Sequence, residues 1–227
     1  MATYRRLALD IALREVGVKE DPPDSNSGAR VQQYQSTTNL GGTGWPWCAA
    51  FINWIFVKAG RPLDELDRQA SVGFMLAKAK ARGWAHSGTP QVGDIVCYDW
   101  NTLAGPTGSI GDEWSDHVGI VSRVNADGSF QAVEGNTAIG NDSNGGQVMI
   151  RDRRRSQVEG FIRVPGGFRI QRRWRISIWR KDVRESIITD LWLAGALRRL
   201  PGLLRGLEYG ERLQVRPYKK RIELPDV

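Results

Sequence analysis

The stretch GWPWCAAFINWIF, residues 44–56, places Cys48 at the expected start of a buried helix, with tryptophans on both sides. Pro46 suits the first turn of a helix, and the apolar residues after it predict a helix that runs to about Gly60. The chain has one other cysteine, Cys97, inside a stretch typical of a strand. A thiol at the start of a helix can serve packing, a disulfide or nucleophilic catalysis. The rest of the sequence has to decide between these roles.

Helical patterns flank this stretch on both sides. Residues 3–17 carry apolar side chains at helical spacing and end at Gly17, a plausible C-terminal stop. Asn26 or Ser27 is expected to cap a short second helix. Residues 71–82 predict a further helix after the one that starts near Cys48. The first third of the chain is therefore expected to be helical.

After Gly83 the pattern changes to short stretches rich in Val, Ile and aromatic residues. The NADGS sequence between two of them is a strong hairpin signal. Helices followed by an antiparallel meander predict an α+β fold. Long surface loops are expected at residues 101–116 and 137–147. The predicted strands are residues 93–100, 117–124, 129–135 and 159–164.

The charge of the chain is unevenly divided. Residues 1–168 hold 17 Lys and Arg against 18 Asp and Glu, whereas residues 169–227 hold 15 against 7. This shift follows VPGGF and predicts a first domain at residues 1–167 and a basic C-terminal extension at residues 168–227. The hydrophobic share of 41% is typical of a soluble globular protein. No run of 18 or more apolar residues predicts a transmembrane helix.

The basic extension has two patterns of its own. FRIQRRWRISIW (168–179) predicts a strand or hairpin arm, and SIITDLWLAGALRRLPGLLRGLE (186–208) predicts an apolar helical stripe with a break at Pro201. Three roles are open: a helix and arm docked on the first domain, a basic amphipathic element that seeks anionic envelope surfaces, or nucleic-acid binding. No nucleic-acid motif supports the third, so nucleic acid is not an expected partner. The leucines of the stripe are Leu193, Leu197, Leu200, Leu204 and Leu207.

Two cysteines do not make a disulfide framework in a chain of this size, although a single bridge stays possible. A zinc site would need both cysteines and both histidines, and they lack the spacing of structural zinc ligands. His86 lies in a loop before the first strand of the meander, and we interpret it as structural. Cys97 is interpreted as a packed small hydrophobe.

A catalytic role for Cys48 needs a base, and the base needs an orienting acceptor. Free backbone N–H groups at a helix N-terminus stabilise a thiolate. His117 begins the strand 117–124 and Glu134 ends the next one, so pairing through NADGS brings the two side by side. Each residue alone is more typical of packing, a surface or a turn. Their joint placement favours chemistry.

The segments WPWCAAFINWIF, GDIVCYDW, DHVGIV and AVEGNT, in this order, resemble the CHAP family of cysteine-dependent peptidases and amidases. The resemblance runs from about residue 5 to residue 165. It implies a papain-like fold of the NlpC/P60 kind, with N-terminal helices packed on an antiparallel sheet. It also implies cleavage of peptidoglycan, by an N-acetylmuramoyl-L-alanine amidase or a stem or bridge endopeptidase. Such domains occur in phage endolysins, so a bacteriolytic and antimicrobial activity is implied.

By position, the resemblance makes Cys48 the nucleophile, His117 the general base and acid, and Glu134 the residue that orients the imidazole. Asn136 is expected to assist at the same corner. The oxyanion is expected to meet the backbone N–H of Cys48 and a second donor, for which the candidates are Tyr34 and Gln33. Tryptophans beside the motifs are candidates for the walls of a substrate groove, with packing as the alternative: Trp45, Trp47, Trp100 and Trp114.

Some relatives carry an Asp-rich calcium loop before the cysteine, but residues 37–47 hold no acidic residue. DPPDSN (21–26) does not match a calcium loop either, so neither a metal nor another cofactor is expected. We expect a monomer whose partner is peptidoglycan. The N-terminus is typical of an amphipathic helix instead of a signal peptide. The expectation is therefore synthesis in the cytoplasm and action at the cell wall after release or export.

Two alternatives to a peptidoglycan hydrolase stay open. One is a non-catalytic cell-wall-binding module that has kept the fold, and the other is an amidase that acts on a small peptide or thiol conjugate. The presence of Cys48, His117 and Glu134 together argues against the first, because a binding module does not need all three. The aromatic residues that flank the motifs favour a polymer over a small substrate.

Overall fold

The computed structural model of the chain describes residues 2–100, 115–142, 144–180, 183–191 and 212–224, with residues from 167 onward described as backbone. The chain divides into two compact units. One is formed by Thr3–Pro165, and the other by Gly166–Val227 with the first two residues. This division falls next to the shift in charge that follows VPGGF. Among the described residues, no helix is long and apolar enough to cross a membrane.

The Thr3–Pro165 unit consists of helices and an antiparallel sheet. After the short strand β1 (Ala2–Thr3), its described helices are α1 (Tyr4–Arg14), α2 (Ala29–Gln35), α3 (Cys48–Ala59) and α4 (Val72–Ala81). The described strands are β2 (Ala85–His86), β3 (Ile95–Tyr98), β4 (His117–Val124), β5 (Phe130–Thr137), β6 (Gln147–Arg153) and β7 (Val158–Ile162). The strand order is β2-β7-β3-β4-β5-β6, with antiparallel neighbours. The predicted α+β class, with N-terminal helices on an antiparallel sheet, is confirmed.

Helix α3 lies at the centre of the core. Every residue from Cys48 to Phe56 is buried, which is the expected environment of a helix that is apolar on all sides. One side of α3 packs on α1 and another on β4 and β5. Gly60 ends the helix in the left-handed conformation, at the predicted stop. The residue that begins this helix is therefore held by the most buried part of the fold.

Gly135 allows α3 to lie close to the sheet. A Cβ atom at this position of β5 would be 2.7 Å from Cβ of Phe51 and 2.8 Å from the ring of Trp47. Both of these residues are fully buried and cannot move into free space. The absence of a side chain at Gly135 thus sets the distance between the start of α3 and the strand that carries Glu134.

We expect Gly135→Ala to destabilise the protein by about 1–3 kcal/mol, because an added methyl group in a packed core forces its neighbours apart. Urea denaturation of the purified protein measures this loss. Gly88→Ala is the matched control, since a Cβ atom there would meet only a ring nitrogen of His86 at 3.7 Å. Equal stability of the two variants would show that α3 can shift away from β5 at no cost.

The helix starts differ from the predictions by one or two residues. The first residue of α3 is Cys48 and its N-cap is Trp47, so Pro46 lies just before the helix instead of in its first turn. The N-cap of α2 is Gly28, not Asn26 or Ser27. Helix α4 begins after the predicted Ser71, whose hydroxyl accepts a hydrogen bond from the backbone N–H of Phe74.

Two strands of the sheet were not predicted. Ala85–His86 forms the short strand β2, so the expectation that His86 lies in a loop is wrong. Residues 147–153 form β6, which pairs with β5 along the edge of the sheet. Its sequence QVMIRDR alternates buried and exposed side chains only partly and carries three charges, so it lacks the apolar signature of the other strands. Strand β6 matters for the site, because its last residue, Arg153, contacts Glu134.

The Gly166–Val227 unit is described as three backbone strands. Strand β8 (Gly167–Arg180) pairs antiparallel with both β9 (Val183–Leu191) and β10 (Arg212–Leu224). The predicted strand at 168–179 is confirmed. Residues 186–191, which the apolar helical pattern was expected to include, instead belong to β9. The leucine stripe from Leu193 to Leu207 lies outside the described residues.

Candidate active site

Cys48 is the first residue of α3, and the residue before it is fixed in place. The indole N–H of Trp47 donates a hydrogen bond of 2.8 Å to Oε1 of Glu20, and its carbonyl accepts from the N–H of Phe51. Trp47 provides no side-chain cap for the helix. The N–H groups of the first turn are therefore left to stabilise negative charge at the thiol or on a bound group.

His117 and Glu134 meet because of the register of two neighbouring strands. Gly119 of β4 pairs with Glu134 of β5, and His117 lies two residues before Gly119 on the same face. Nε2 of His117 is 3.2 Å from Oε2 of Glu134, an ion pair without the alignment of a hydrogen bond. A Cβ atom at Gly119 would be 2.7 Å from Cγ of Glu134, so only glycine leaves room for this carboxylate.

The three predicted catalytic side chains are buried to different degrees. His117 and Glu134 are fully buried, whereas Cys48 is 5% exposed. Burial lowers the pKa of His117, but interactions with Cys48 and Glu134 outweigh it and raise the pKa to about 9. Burial raises the pKa of Glu134, but Arg153 and His117 together lower it to about 2. At neutral pH the pair is therefore an imidazolium and a carboxylate.

These two shifts predict how the stability of the protein depends on pH. Because the pKa of His117 is raised in the folded state, its stabilising effect is complete below pH 6.5 and is lost as the pH rises through about 9. The effect of Glu134, whose pKa is lowered, is complete above pH 4.5 and is lost as the pH falls through about 2. We expect the free energy of unfolding of the wild type, relative to His117→Gln, to fall by roughly 1–3 kcal/mol between pH 6 and pH 10. Urea denaturation at a series of pH values tests this, and parallel curves for the two proteins would contradict it.

Two aromatic rings lie against the imidazole. The ring of Tyr98 stacks on His117 at 6.0 Å between centroids and on Trp100 at 5.0 Å, and Trp100 lies 6.1 Å from His117. Tyr98 pairs with His117 across β3 and β4, so the sheet register positions this stack. The two rings keep the imidazole in one orientation.

Arg153 is a residue of this site that the sequence did not reveal. From the end of β6, its Nε donates to Oε1 of Glu134 at 2.8 Å and its Nη2 donates to Oε2 at 2.5 Å. Its guanidinium also lies over the rings of Tyr98 and Trp100, at 5.2 and 5.0 Å from their centroids. Recognition of β6 as a strand paired with β5 would have been the signal that placed Arg153 on the strand beside Glu134.

The predicted supporting residues have other contacts. Asn136 is buried in the left-handed conformation at φ 59°, and its Nδ2 donates to Asn26 and Asn144, so its side chain joins two loops. The expected assistance of Asn136 to the imidazole of His117 stays a prediction. The hydroxyl of Tyr34 donates to Glu15 at 2.6 Å. Gln33 is exposed and accepts from Arg30. The hydroxyl proton of Tyr34 is thus donated to Glu15, and the role of Tyr34 or Gln33 as oxyanion donor stays a prediction.

The four tryptophans considered for a groove have different positions. Trp47 is fully buried and its indole N–H donates to Glu20, which favours the packing alternative. Trp45 is partly exposed, and its indole N–H donates to the carbonyl of Gly41. Trp100 is also partly exposed. Trp114 lies outside the described residues.

The remaining histidine and cysteine lie in other surroundings. His86 stacks on Phe161 at 5.7 Å, and its Nε2 is 3.3 Å from Asp94, a fully buried carboxylate that also pairs with arginines. Cys97 is fully buried in the core, and burial raises the pKa of its thiol well above the usual value. Both cysteines are free, so the single disulfide that the sequence left open is not formed.

One family model of known proteins matches part of this chain. Residues 40–136 match the family model of the CHAP domain, and the match includes Cys48, His117 and Glu134. This part of the chain is therefore similar to the CHAP domain.

Two solved structures are among the matches to this chain. One is described as the crystal structure of Ly7917, at 16% identity and a TM-score of 0.38, over 97% of this chain and 83% of that chain. The other is Ly7917 with the hydrolyzing product of MDP, at 14% identity and a TM-score of 0.36, over 96% of this chain and 82% of that chain. No curated protein matches the chain.

Proposed function

We propose that this protein cleaves an amide bond of peptidoglycan by acyl transfer through Cys48, with His117 as base and acid and Glu134 as its partner. The observation that carries the proposal is the buried ion pair of 3.2 Å between His117 and Glu134 beside a thiol at a helix N-terminus. A nucleophile, a base and a residue that orients the base are the parts that this chemistry requires.

The proposed reaction begins with attack of the Cys48 thiolate on the scissile carbonyl carbon. The carbonyl oxygen becomes an oxyanion, which the first-turn N–H groups of α3 can stabilise. The imidazolium of His117 donates its proton to the leaving amine, the C–N bond breaks, and a thioester remains. His117, now neutral, takes a proton from water, and the hydroxide attacks the thioester to release a carboxylate and the thiolate.

Glu134 supports both halves of this reaction. Its contact with Nε2 leaves Nδ1 as the ring nitrogen available to Cys48 and to the leaving group. Its negative charge stabilises the imidazolium, which agrees with the raised pKa of His117. Residues 101–116 and 137–147 flank the motifs and are proposed to decide which amide enters the site.

Two amide bonds fit this chemistry: the bond between muramic acid and L-alanine, and a peptide bond within the stem or bridge. The test is digestion of purified peptidoglycan followed by mass spectrometry of the new termini. Stems released with a free L-alanine amino group would identify an amidase, and new amino groups within stems or bridges would identify an endopeptidase. Sedimentation with intact peptidoglycan but no new termini would favour a non-catalytic wall-binding module.

The proposed place of action is the bacterial cell wall, and the proposed consequence is lysis as by an endolysin. The basic composition of residues 169–227 supports a role of the extension at anionic envelope surfaces. Truncation after Gly167 separates this role from catalysis: lysis of intact cells should fall while digestion of purified peptidoglycan continues. Unchanged lysis and unchanged binding to anionic vesicles would exclude the envelope-seeking role.

A further inference from the structure

The contact between Arg153 and Glu134 is a buried ion pair with two hydrogen bonds. Both nitrogens of one edge of the guanidinium reach both carboxylate oxygens, at 2.8 and 2.5 Å. The side chain of Arg153 is 3% exposed and that of Glu134 is fully buried. Such a two-point contact fixes the plane of a carboxylate, which a single ammonium group does not do.

Arg153 is itself held from several directions. Its guanidinium lies over Tyr98 and Trp100, the same rings that stack on His117. Its Nη2 also lies 3.0 Å from Oδ1 of Asp142, which accepts from Arg151 at 2.7 Å. The guanidinium is thus fixed by groups that the reaction itself does not use.

We infer that Arg153 is a positioning residue for the proposed hydrolysis, and that it holds the Glu134 carboxylate in the orientation in which one oxygen faces His117. This inference rests on the proposed function of Cys48, His117 and Glu134. Oε2 of Glu134 is the atom shared by both contacts, 2.5 Å from Nη2 of Arg153 and 3.2 Å from Nε2 of His117. Without the guanidinium, Oε2 would keep only its contact with His117. That single contact would not prevent the carboxylate from rotating away from the imidazole.

Arg153 also balances the charge of the catalytic group. The titratable and charged groups that face Glu134 are His117 on β4, Arg153 on β6 and Tyr98 on β3, and Cys48 on α3 acts through His117. Burial raises the pKa of Tyr98 well above its usual value, so its hydroxyl is neutral. With the thiolate that the proposed reaction requires, the imidazolium, carboxylate and guanidinium sum to zero charge. Loss of the guanidinium would leave a buried net negative charge, which favours proton uptake by the thiolate.

The test follows the reactivity of Cys48 without peptidoglycan. In a Cys97→Ala background, Cys48 is the single cysteine, and the rate of its alkylation by iodoacetamide against pH reports the thiolate. We expect Arg153→Gln to move the midpoint of this profile up by at least about one pH unit. Arg153→Lys, which keeps the charge but not the two-point contact, should keep the midpoint near that of the background protein while kcat for peptidoglycan falls.

The outcomes separate positioning from a merely structural role. A lower melting temperature of Arg153→Gln with an unchanged alkylation midpoint would overturn the inference, because it would show that Arg153 serves only folding. If the glutamine variant does not fold, Arg153→Lys decides: full kcat in that variant would overturn the inference. Should the wild type fail to cleave peptidoglycan, the proposed function fails, whereas the alkylation profiles still decide the role of Arg153.

Discussion

Cys48→Ala is expected to lower the release of peptidoglycan fragments by about 10⁴-fold or more, because the acyl intermediate cannot form without the sulphur. The variant should fold normally. Cys48 is small and 5% exposed, and its removal leaves the contacts of Trp47 with Glu20 and Phe51 in place. The measurement is the initial rate of new amino termini from purified peptidoglycan, together with the melting temperature of the variant.

Cys97→Ala is the matched control for this substitution. Cys97 has the same side chain but lies fully buried on β3 and takes no part in the proposed reaction. We expect it to lose some stability, since a core atom is removed, and to keep most of its rate. A rate for Cys48→Ala equal to that of Cys97→Ala would exclude catalysis by the Cys48 thiolate.

Glu134→Ala is expected to have the largest combined effect on stability and activity. It leaves the guanidinium of Arg153 buried without its partner, and the loss of one member of a buried ion pair costs about 3–5 kcal/mol. It also removes the acceptor of His117, which is expected to lower kcat by roughly 10²–10⁴-fold. Urea denaturation and the initial rate of peptidoglycan digestion measure the two effects separately.

A double variant distinguishes the two effects of Glu134. In Glu134→Gln with Arg153→Met, both charges are absent, so the penalty of an unpaired buried charge should largely disappear. Stability is then expected to recover relative to Glu134→Ala, whereas kcat should stay low because His117 still lacks a carboxylate. Recovery of kcat together with stability would mean that Glu134 contributes only to folding.

Local sequence signals predicted those parts of the fold whose pattern is strong. The apolar stretch after Pro46 predicted the buried helix α3, and NADGS predicted the hairpin that joins β4 and β5. Because both ends of a hairpin lie away from its turn, His117 and Glu134 could be placed together from chain order alone. The α+β class followed from the same change of pattern at Gly83.

The parts that could not be predicted depend on partners distant in the sequence. Arg153 belongs to a strand whose charges hide its pattern, and its contact with Glu134 depends on a register that the sequence does not display. Tyr34 is a candidate oxyanion donor in the sequence because it lies on the helix before Cys48. Its hydroxyl is instead used by Glu15. The choice between packing and substrate contact for Trp47 likewise depended on Glu20, which is 27 residues away.

The position of Cys48 on α3 has a consequence for how this protein is inactivated by heat. Because every residue from Cys48 to Phe56 is buried, the helix is expected to open only when the whole domain opens, and its interior amides should exchange with solvent only on global unfolding. The proposed nucleophile is therefore not carried by a segment that is expected to open early. Catalytic capacity should persist up to the melting transition of the domain and then vanish with it in one cooperative step.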